Sequence, residues 1–329
     1  ETNLLSHTNA SEYAYKGEIE TAVDQNAIEF KDDFYDDVIS MEMFWDLYAY
    51  LYGIDPVYAV MACCQVTSLL RVSALVRDFP IAPTPLNPSF LTYPQIERQP
   101  QIKKQKITYI SKGGKKKKTN LPSQVHQILH TEYIAPQITS DTTSNSDITI
   151  RNQIKTYQQR LALFKKDYCS TKHALNQNRT SKMKPSWLLS NGTPVSNRSY
   201  QDAFEQASKA LGFHVHNHMM RHTGATQFLW RYLKMNNLTA SHTNHLLVAD
   251  AHVALKKILG HQDISTTKKY VKTIERMVLD QQMDSILNYS FSKSKEHHEE
   301  LAKNNPEIAL GLQSIIHASK EFDTYMTGK

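Results

Sequence analysis

HNHMMRHTGATQF, residues 216–228, and LGHQDISTTKKYV, residues 259–271, are the two stretches on which the reading of this chain turns. In the first, Asn217 is a good N-cap for a helix over His218–Leu233, and His218 and Arg221, three apart, share one face at its start. A helix N-terminus favours an anion, so a histidine with an arginine there makes a compact phosphate site. In the second, Gly260 closes a helix from about Asn244, and His261 follows it. Ser265 and Thr266 then cap a helix from Thr267 to about Leu287, with Leu279, Met283, Ile286 and Leu287 as its apolar stripe. Tyr270 falls one turn in. A hydroxyl accompanied by histidines and arginines is the equipment for nucleophilic attack on a phosphodiester. The competing reading is a metal cluster of His214, His216, His218 and His222. No cysteine or carboxylate lies near them and the glutamate of an H-E-x-x-H helix is absent, so no metal site is expected.

Outward from these stretches the chain reads as α+β, mostly helical, with one small antiparallel sheet. Residues 1–30 are polar and acidic without sustained period and read as a linker. Phe34–Tyr52 carries apolar residues at three- and four-residue spacing and predicts an amphipathic helix, broken by Gly53 and Pro56. Val57–Val76 predicts a second, more buried helix with Arg71 inside it in SLLRVSAL. A buried arginine needs an anionic partner, no acid lies within a turn of it, and the partner can be a substrate. Six prolines between residues 80 and 100 forbid long regular structure. Ile102–Ile110 then alternates as a strand, and Gly113 with Gly114 turns a hairpin that returns through Thr119–Leu121. Residues 137–150 and 170–186 read as polar loops, Ile154–Phe164 as a helix, and Ser199–Leu211 as a helix ended by Gly212.

Composition narrows the class. Three cysteines, two of them the adjacent Cys63 and Cys64, do not make a disulfide scaffold and suit a reducing compartment. No apolar run reaches the ~18 residues that span a bilayer, so the expectation is a soluble cytoplasmic protein. The net charge is +6, yet KKQKITYISKGGKKKK, residues 103–118, holds eight lysines and no acid. From Glu1 to Asp46, in contrast, twelve acids face only Lys16 and Lys31. A basic focus on an otherwise slightly acidic body is expected of a protein that meets a polyanion at one place, with Lys103, Lys104, Lys106, Lys115, Lys116, Lys117 and Lys118 as its contacts.

Taken in order, these pieces resemble the catalytic domain of the tyrosine recombinases, the phage-integrase-type site-specific recombinases. That domain carries an arginine in a helix, a lysine in a β-hairpin turn, H-x-x-R at a helix start, and L-G-H followed nine residues later by tyrosine. Here Arg71 sits in LLRVSAL, Lys112 in SKGGKKKKTNLP, His218 and Arg221 in HMMRHTGAT, His261 in LGH, and Tyr270 at the ninth position beyond it. The chain departs from the pattern at Ala74, where the family usually has an acid three residues after the first arginine. The separations from Lys112 to His218 and from Arg221 to His261 exceed those of compact members, which places insertions near 135–180 and 234–250. The resemblance implies a catalytic domain over residues 31–289. Residues 1–30 would be a linker or the remnant of an absent core-binding domain. Residues 290–329, with Leu301, Ile308, Leu312, Ile315 and Ile316, would be a tail that packs on a neighbouring protomer.

The same resemblance implies a chemistry. Tyr270 would attack the scissile phosphate to give a 3′-phosphotyrosyl link and a free 5′-hydroxyl, with no metal, ATP or other cofactor. Arg71 and Arg221 would fork onto the non-bridging oxygens, His218 would take the tyrosine proton, and His261 would bond a phosphate oxygen. Lys112, with Lys115 as its rival, would protonate the departing oxygen. The expected partners are double-stranded DNA, three further copies of the chain in a homo-tetramer, and accessory DNA-bending or directionality proteins. The expected setting is DNA integration or recombination by a mobile element, in the cytoplasm and at the nucleoid when bound. A type IB topoisomerase-like relaxing enzyme and a non-catalytic DNA-binding relative are the alternatives.

Overall fold

The structure, a computed structural model, describes residues 34–111, 113–136, 154–169, 184–236 and 265–279, with isolated positions between 253 and 259 and between 311 and 319. Among the described residues the chain is mostly helical with one antiparallel two-stranded sheet. No single helix there is long and apolar enough to cross a membrane.

Helix α1 (Met41–Ile54) begins where Ser40 Oγ accepts the Met43 N–H at 3.0 Å. Phe34, expected on this helix, lies before it. A short 3-10 turn, Tyr35–Asp37, and an extended step to Ser40 separate the two. Asp55 both ends α1 and caps α2 (Pro56–Ser68), its Oδ1 accepting the Val57 N–H at 3.1 Å, with Pro56 at the position whose missing N–H costs nothing. The same carboxylate accepts from Arg160 Nη1 at 2.7 Å and from the Ser190 N–H at 2.6 Å. Arg160 belongs to α6 (Tyr157–Cys169), so one buried ion pair ties the α1–α2 corner to α6 and the 187–190 segment. Removing one partner of such a pair costs ~3–5 kcal/mol, because the other is left charged and uncompensated. Cys63 and Cys64 are free thiols inside α2, and burial pushes both well above the ordinary thiol range.

The continuous helix expected over Val57–Val76 is two helices, α2 and α3 (Val72–Asp78), bent by 114°. No glycine or proline marks the break. Instead the carbonyls that would carry the helix onward have tertiary partners: Thr119 Oγ1 donates to Ser68 O at 2.6 Å, and Arg221 Nη1 donates to Leu69 O. Leu69 closes α2 in the left-handed region at φ 57°. Arg71 therefore stands at the cap of α3, with its side chain exposed rather than buried in a helix.

After the proline-rich stretch and a short helix, α4 (Tyr93–Glu97), the chain forms the hairpin of β1 (Lys104–Ile110) and β2 (Lys116–Pro122). Gly113 and Gly114 take positive φ at its turn, as expected, and Ser111 N–H donates to Lys115 O at 2.9 Å. The return strand begins at Lys116, three residues before the expected Thr119, so Lys116, Lys117 and Lys118 are strand residues rather than turn residues. Tyr109 pairs with Lys117, and Ile107 with Thr119. Helix α5 (Ser123–Leu129) and a π-helical turn over His130–Ile134 complete this side.

Helix α7 (Asn197–Leu211) is capped by Ser196 and ended by Gly212 at φ 73°. Helix α8 (Met219–Met235) has His218, not the expected Asn217, at its cap position. It crosses α2 at Gly224, where a Cβ would stand 1.9 Å from Val66 O, so only glycine permits this approach. Helix α9 (Ser265–Leu279) includes Ser265 and Thr266 in its first turn rather than ahead of it, and its expected extension through Met283, Ile286 and Leu287 lies outside the described residues. Of the helix expected from Asn244, Leu255 and Leu259 are described, both buried against α8 and α9.

The described tail positions are seated on their own chain. Ile315 and Ala318 belong to the main core, Ser314 Oγ lies 2.8 Å from the Tyr48 hydroxyl, and it donates to Glu132 Oε2 at 2.7 Å. A Cβ at Gly311 would meet Ala49 Cα at 2.5 Å. Leu301, Ile308, Leu312 and Ile316, like residues 1–30 and the loop over 137–150, lie outside the described residues.

Candidate functional site

The bend between α2 and α3, the hairpin and the start of α8 meet at a cavity of about 440 Å³ lined by Arg71, Ala74, Arg77, Tyr109, Gly114 and Arg221, among others, with no acid among the described residues of its wall. Arg221 is buried, and it is fixed by donating Nη1 to Leu69 O and Nη2 to Leu259 O, the latter at 3.0 Å. A guanidinium has five N–H donors in one plane, so two anchored donors set the direction of the rest. Burial lowers the pKa of Arg221, and the charge of Arg71 lowers it further. Arg77, at the rim, is paired with Asp78 at 2.8 Å and donates to Ile110 O. The cavity is an electropositive recess that suits a tetrahedral oxyanion.

No lysine stands in the described wall of the cavity, and the hairpin's alternation decides which lysine faces inward. Ile107, Tyr109, Thr119 and Leu121 face inward, and Lys117 shares their face. Lys103, Lys104, Lys106, Lys115, Lys116 and Lys118 are exposed, whereas Lys117 is half-buried. Its pKa is lowered, first by burial, then by Arg71, Arg221 and Lys115. Lys112 lies outside the described residues.

Tyr270 is 1% exposed, on the face of α9 turned to α8. Its hydroxyl lies 3.0 Å from His222 Nδ1, not on His218. Burial raises the phenol above its ordinary range, while Arg221 and Arg71 pull it down. His218 stands open at the α8 cap, its ring 4.7 Å from that of His222 and edge-on at 84°. Partial burial, then the charges of Arg221, His216 and Arg71, lower its pKa, so at pH 7 it is neutral and able to take a proton. Tyr270 is not in the cavity wall, although its phenol feels both arginines. His261 lies outside the described residues. Among the described residues, no group of three or more His, Cys, Asp or Glu is placed to hold a metal.

Of the sequence-predicted residues, Arg71 and Arg221 meet at the cavity, while His218 and Tyr270 stand outside its wall and feel the charges of both arginines. Sequence reasoning weighed His222 only as a metal ligand and Lys117 only as a DNA contact. Signals for both were present: His222 is four residues after His218 on the same helical face, and strand parity from Thr119 and Leu121 reaches Lys117. The structure adds Phe34, whose ring lies 4.1 Å from that of His222 and 4.6 Å from that of Tyr270. No known family model matches this chain, and no characterised protein matches it.

Proposed function

We propose that the chain is a DNA strand-transfer enzyme of the tyrosine-recombinase type, which cleaves a duplex through a 3′-phosphotyrosyl intermediate and rejoins it. The observation that carries this reading is the meeting of Arg71 and Arg221 at a cavity with no acid among its described lining residues, near a tyrosine whose hydroxyl is held by a histidine. Tyr270 attacks phosphorus, the P–O bond to the 5′-oxygen breaks, and the departing oxygen takes a proton. The two guanidiniums meet the extra charge on the non-bridging oxygens, and loss of one such donor costs ~10² to 10³ in rate. His222 holds the phenol proton at rest, and neutral His218 receives it as the phenol turns to phosphorus. The proton for the leaving oxygen comes from the hairpin, and we assign it to Lys117, the inward-facing lysine among the described hairpin residues. A lowered pKa suits that task. His261 keeps the expected role of bonding a phosphate oxygen.

Bond energy is conserved in the phosphotyrosyl link, so the reaction runs without ATP or metal. The exposed lysines of the hairpin supply backbone contacts on the duplex. A tetramer on DNA, with accessory proteins, is the working assembly, and a tail exchanged between subunits would occupy in a neighbour the seat that Ile315 and Ser314 fill here. The test is incubation with nicked suicide duplexes drawn from the DNA that flanks the coding sequence. A denaturation-stable protein–DNA adduct is expected on specific sites. Relaxation of any supercoiled plasmid by lone protomers would favour the topoisomerase alternative, and no adduct on any duplex would end the reading.

A further inference from the structure

The segment from Phe34 to Ile39 crosses α8 and α9 before α1 begins, and it is fastened to the face of α9 that carries Tyr270. Phe34 N–H donates to Thr273 Oγ1 at 2.9 Å, and Lys269 Nζ lies 6.0 Å over the Phe34 ring. The Arg276 guanidinium sits 4.1 Å over the Tyr35 ring. On the α8 side, Ile39 N–H donates to Thr223 Oγ1 at 3.2 Å, and Asp37 Oδ1 lies 3.6 Å from His216 Nε2. Residues 269, 270, 273 and 276 share one helical face, so the segment lies along the nucleophile's own stripe. Phe34 itself packs on both Tyr270 and His222.

This arrangement is at odds with an open site. A hydroxyl on a ring that is 1% exposed, outside the wall of the arginine cavity, does not meet a phosphate on a duplex. Lys269 and Arg276 stand over the rings of Phe34 and Tyr35, and Asp37 lies against His216, whose pKa is lowered first by burial. The segment thus covers two cations, Lys269 and Arg276, that a phosphate backbone would otherwise meet. The segment is also only half-buried at Phe34, Tyr35 and Asp37, so it is more easily released than the core.

We propose that Phe34–Asp37 is an autoinhibitory strap, with Phe34 as the bolt that keeps Tyr270 withdrawn against His222 until duplex DNA displaces the strap. The inference deepens the strand-transfer reading and rests on it for the identity of the displacing ligand. Two variants of the full chain test it. Phe34→Ala removes the bolt, and Thr273→Val keeps a buried side chain of the same shape while removing the acceptor that anchors the Phe34 N–H.

Two readouts separate the strap from the reading it rests on. Nitration of tyrosines by tetranitromethane, mapped by peptide mass spectrometry with half-exposed Tyr93 as internal reference, reports whether Tyr270 is covered. Adduct formation on a nicked suicide duplex reports the chemistry. Tyr270 should be protected in the parent protein and nitrated in both variants, and both should form adduct faster, by the about two- to tenfold that one aromatic pair supports. A merely structural role for Phe34 would slow the reaction rather than speed it. Unchanged Tyr270 nitration in both variants overturns the strap, whatever the adduct assay gives. Nitration that rises while adduct formation falls also overturns it, because Phe34 would then serve the chemistry. Nitration that rises in a protein forming no adduct with any duplex upholds the strap and removes the strand-transfer reading instead.

Discussion

Lys117 and Tyr109 face each other across the hairpin, and the Lys117 ammonium, outside the cavity wall, feels the charges of Arg71 and Arg221. An ammonium in that company gives up its proton more readily, which is what a leaving 5′-oxygen requires. Lys117→Ala should therefore slow cleavage by ~10² to 10⁴, the share that general acid catalysis supplies. A substrate with sulfur in place of the bridging 5′-oxygen leaves as a weakly basic thiolate and needs no proton. On it Lys117→Ala should recover, Arg221→Ala should stay slow, and Tyr270→Phe should remain inactive. Recovery by Lys112→Ala or Lys115→Ala, with Lys117→Ala unrescued, would move the acid back to the turn. Motif spacing singled out Arg221, His218 and Tyr270, and in the structure His218 and Tyr270 both feel the charge of Arg221. The hydroxyl's partner was not legible in the sequence, because His218 and His222 both point along one helical face and only the packing of α9 selects between them.

At the scale of elements, regular structure was legible where local chemistry sets it. The Gly113–Gly114 turn and the end of α7 at Gly212 are backbone effects, and both lie where expected. The break after Ser68 was not legible, since the carbonyls of Ser68 and Leu69 are claimed by Thr119 and Arg221, respectively 51 and 152 residues further along the sequence. The placement of Phe34 fails for the same kind of reason: its helical spacing is real, but its ring is claimed by α8 and α9. A second tertiary claim makes a testable element. His126 of α5 is buried, its ring tilted against that of Phe90 at 5.1 Å and in contact with Gln105 of β1, and burial lowers its pKa to about 3. A histidine held neutral contributes stability that is complete above its ordinary pKa of 6.5 and is lost as pH falls below it. The loss is about 1.4 kcal/mol per pH unit until the pH nears 3. Urea unfolding at pH 5 should thus give a stability about 2 kcal/mol below that at pH 7, and His126→Gln should lack this share of the decline. An identical pH dependence in the variant would show that His126 is charged or exposed in the folded chain.

For the whole molecule, the tail decides how self-contained the chain is. Ile315 is 1% exposed in the main core and Ser314 joins Tyr48 to Glu132, so the body has a seat that the tail fills. In the absence of DNA, Ile315→Ala should lower the unfolding free energy by ~2–5 kcal/mol, with a midpoint independent of protein concentration. A loss below about 0.5 kcal/mol would mean the seat is not filled by this residue. The seat was not legible from sequence, from which the tail was expected to pack on a neighbouring protomer. The central claim, that the arginine cavity and Tyr270 form one strand-transfer site, has a direct measurement. The adduct formed on a suicide duplex is digested with protease and nuclease, and the nucleotide-bearing peptide is sequenced by mass spectrometry. The account predicts a 3′-nucleotide phosphodiester on Tyr270 and no adduct from Tyr270→Phe. A nucleotide on any other residue, or an undiminished adduct from Tyr270→Phe, would contradict it.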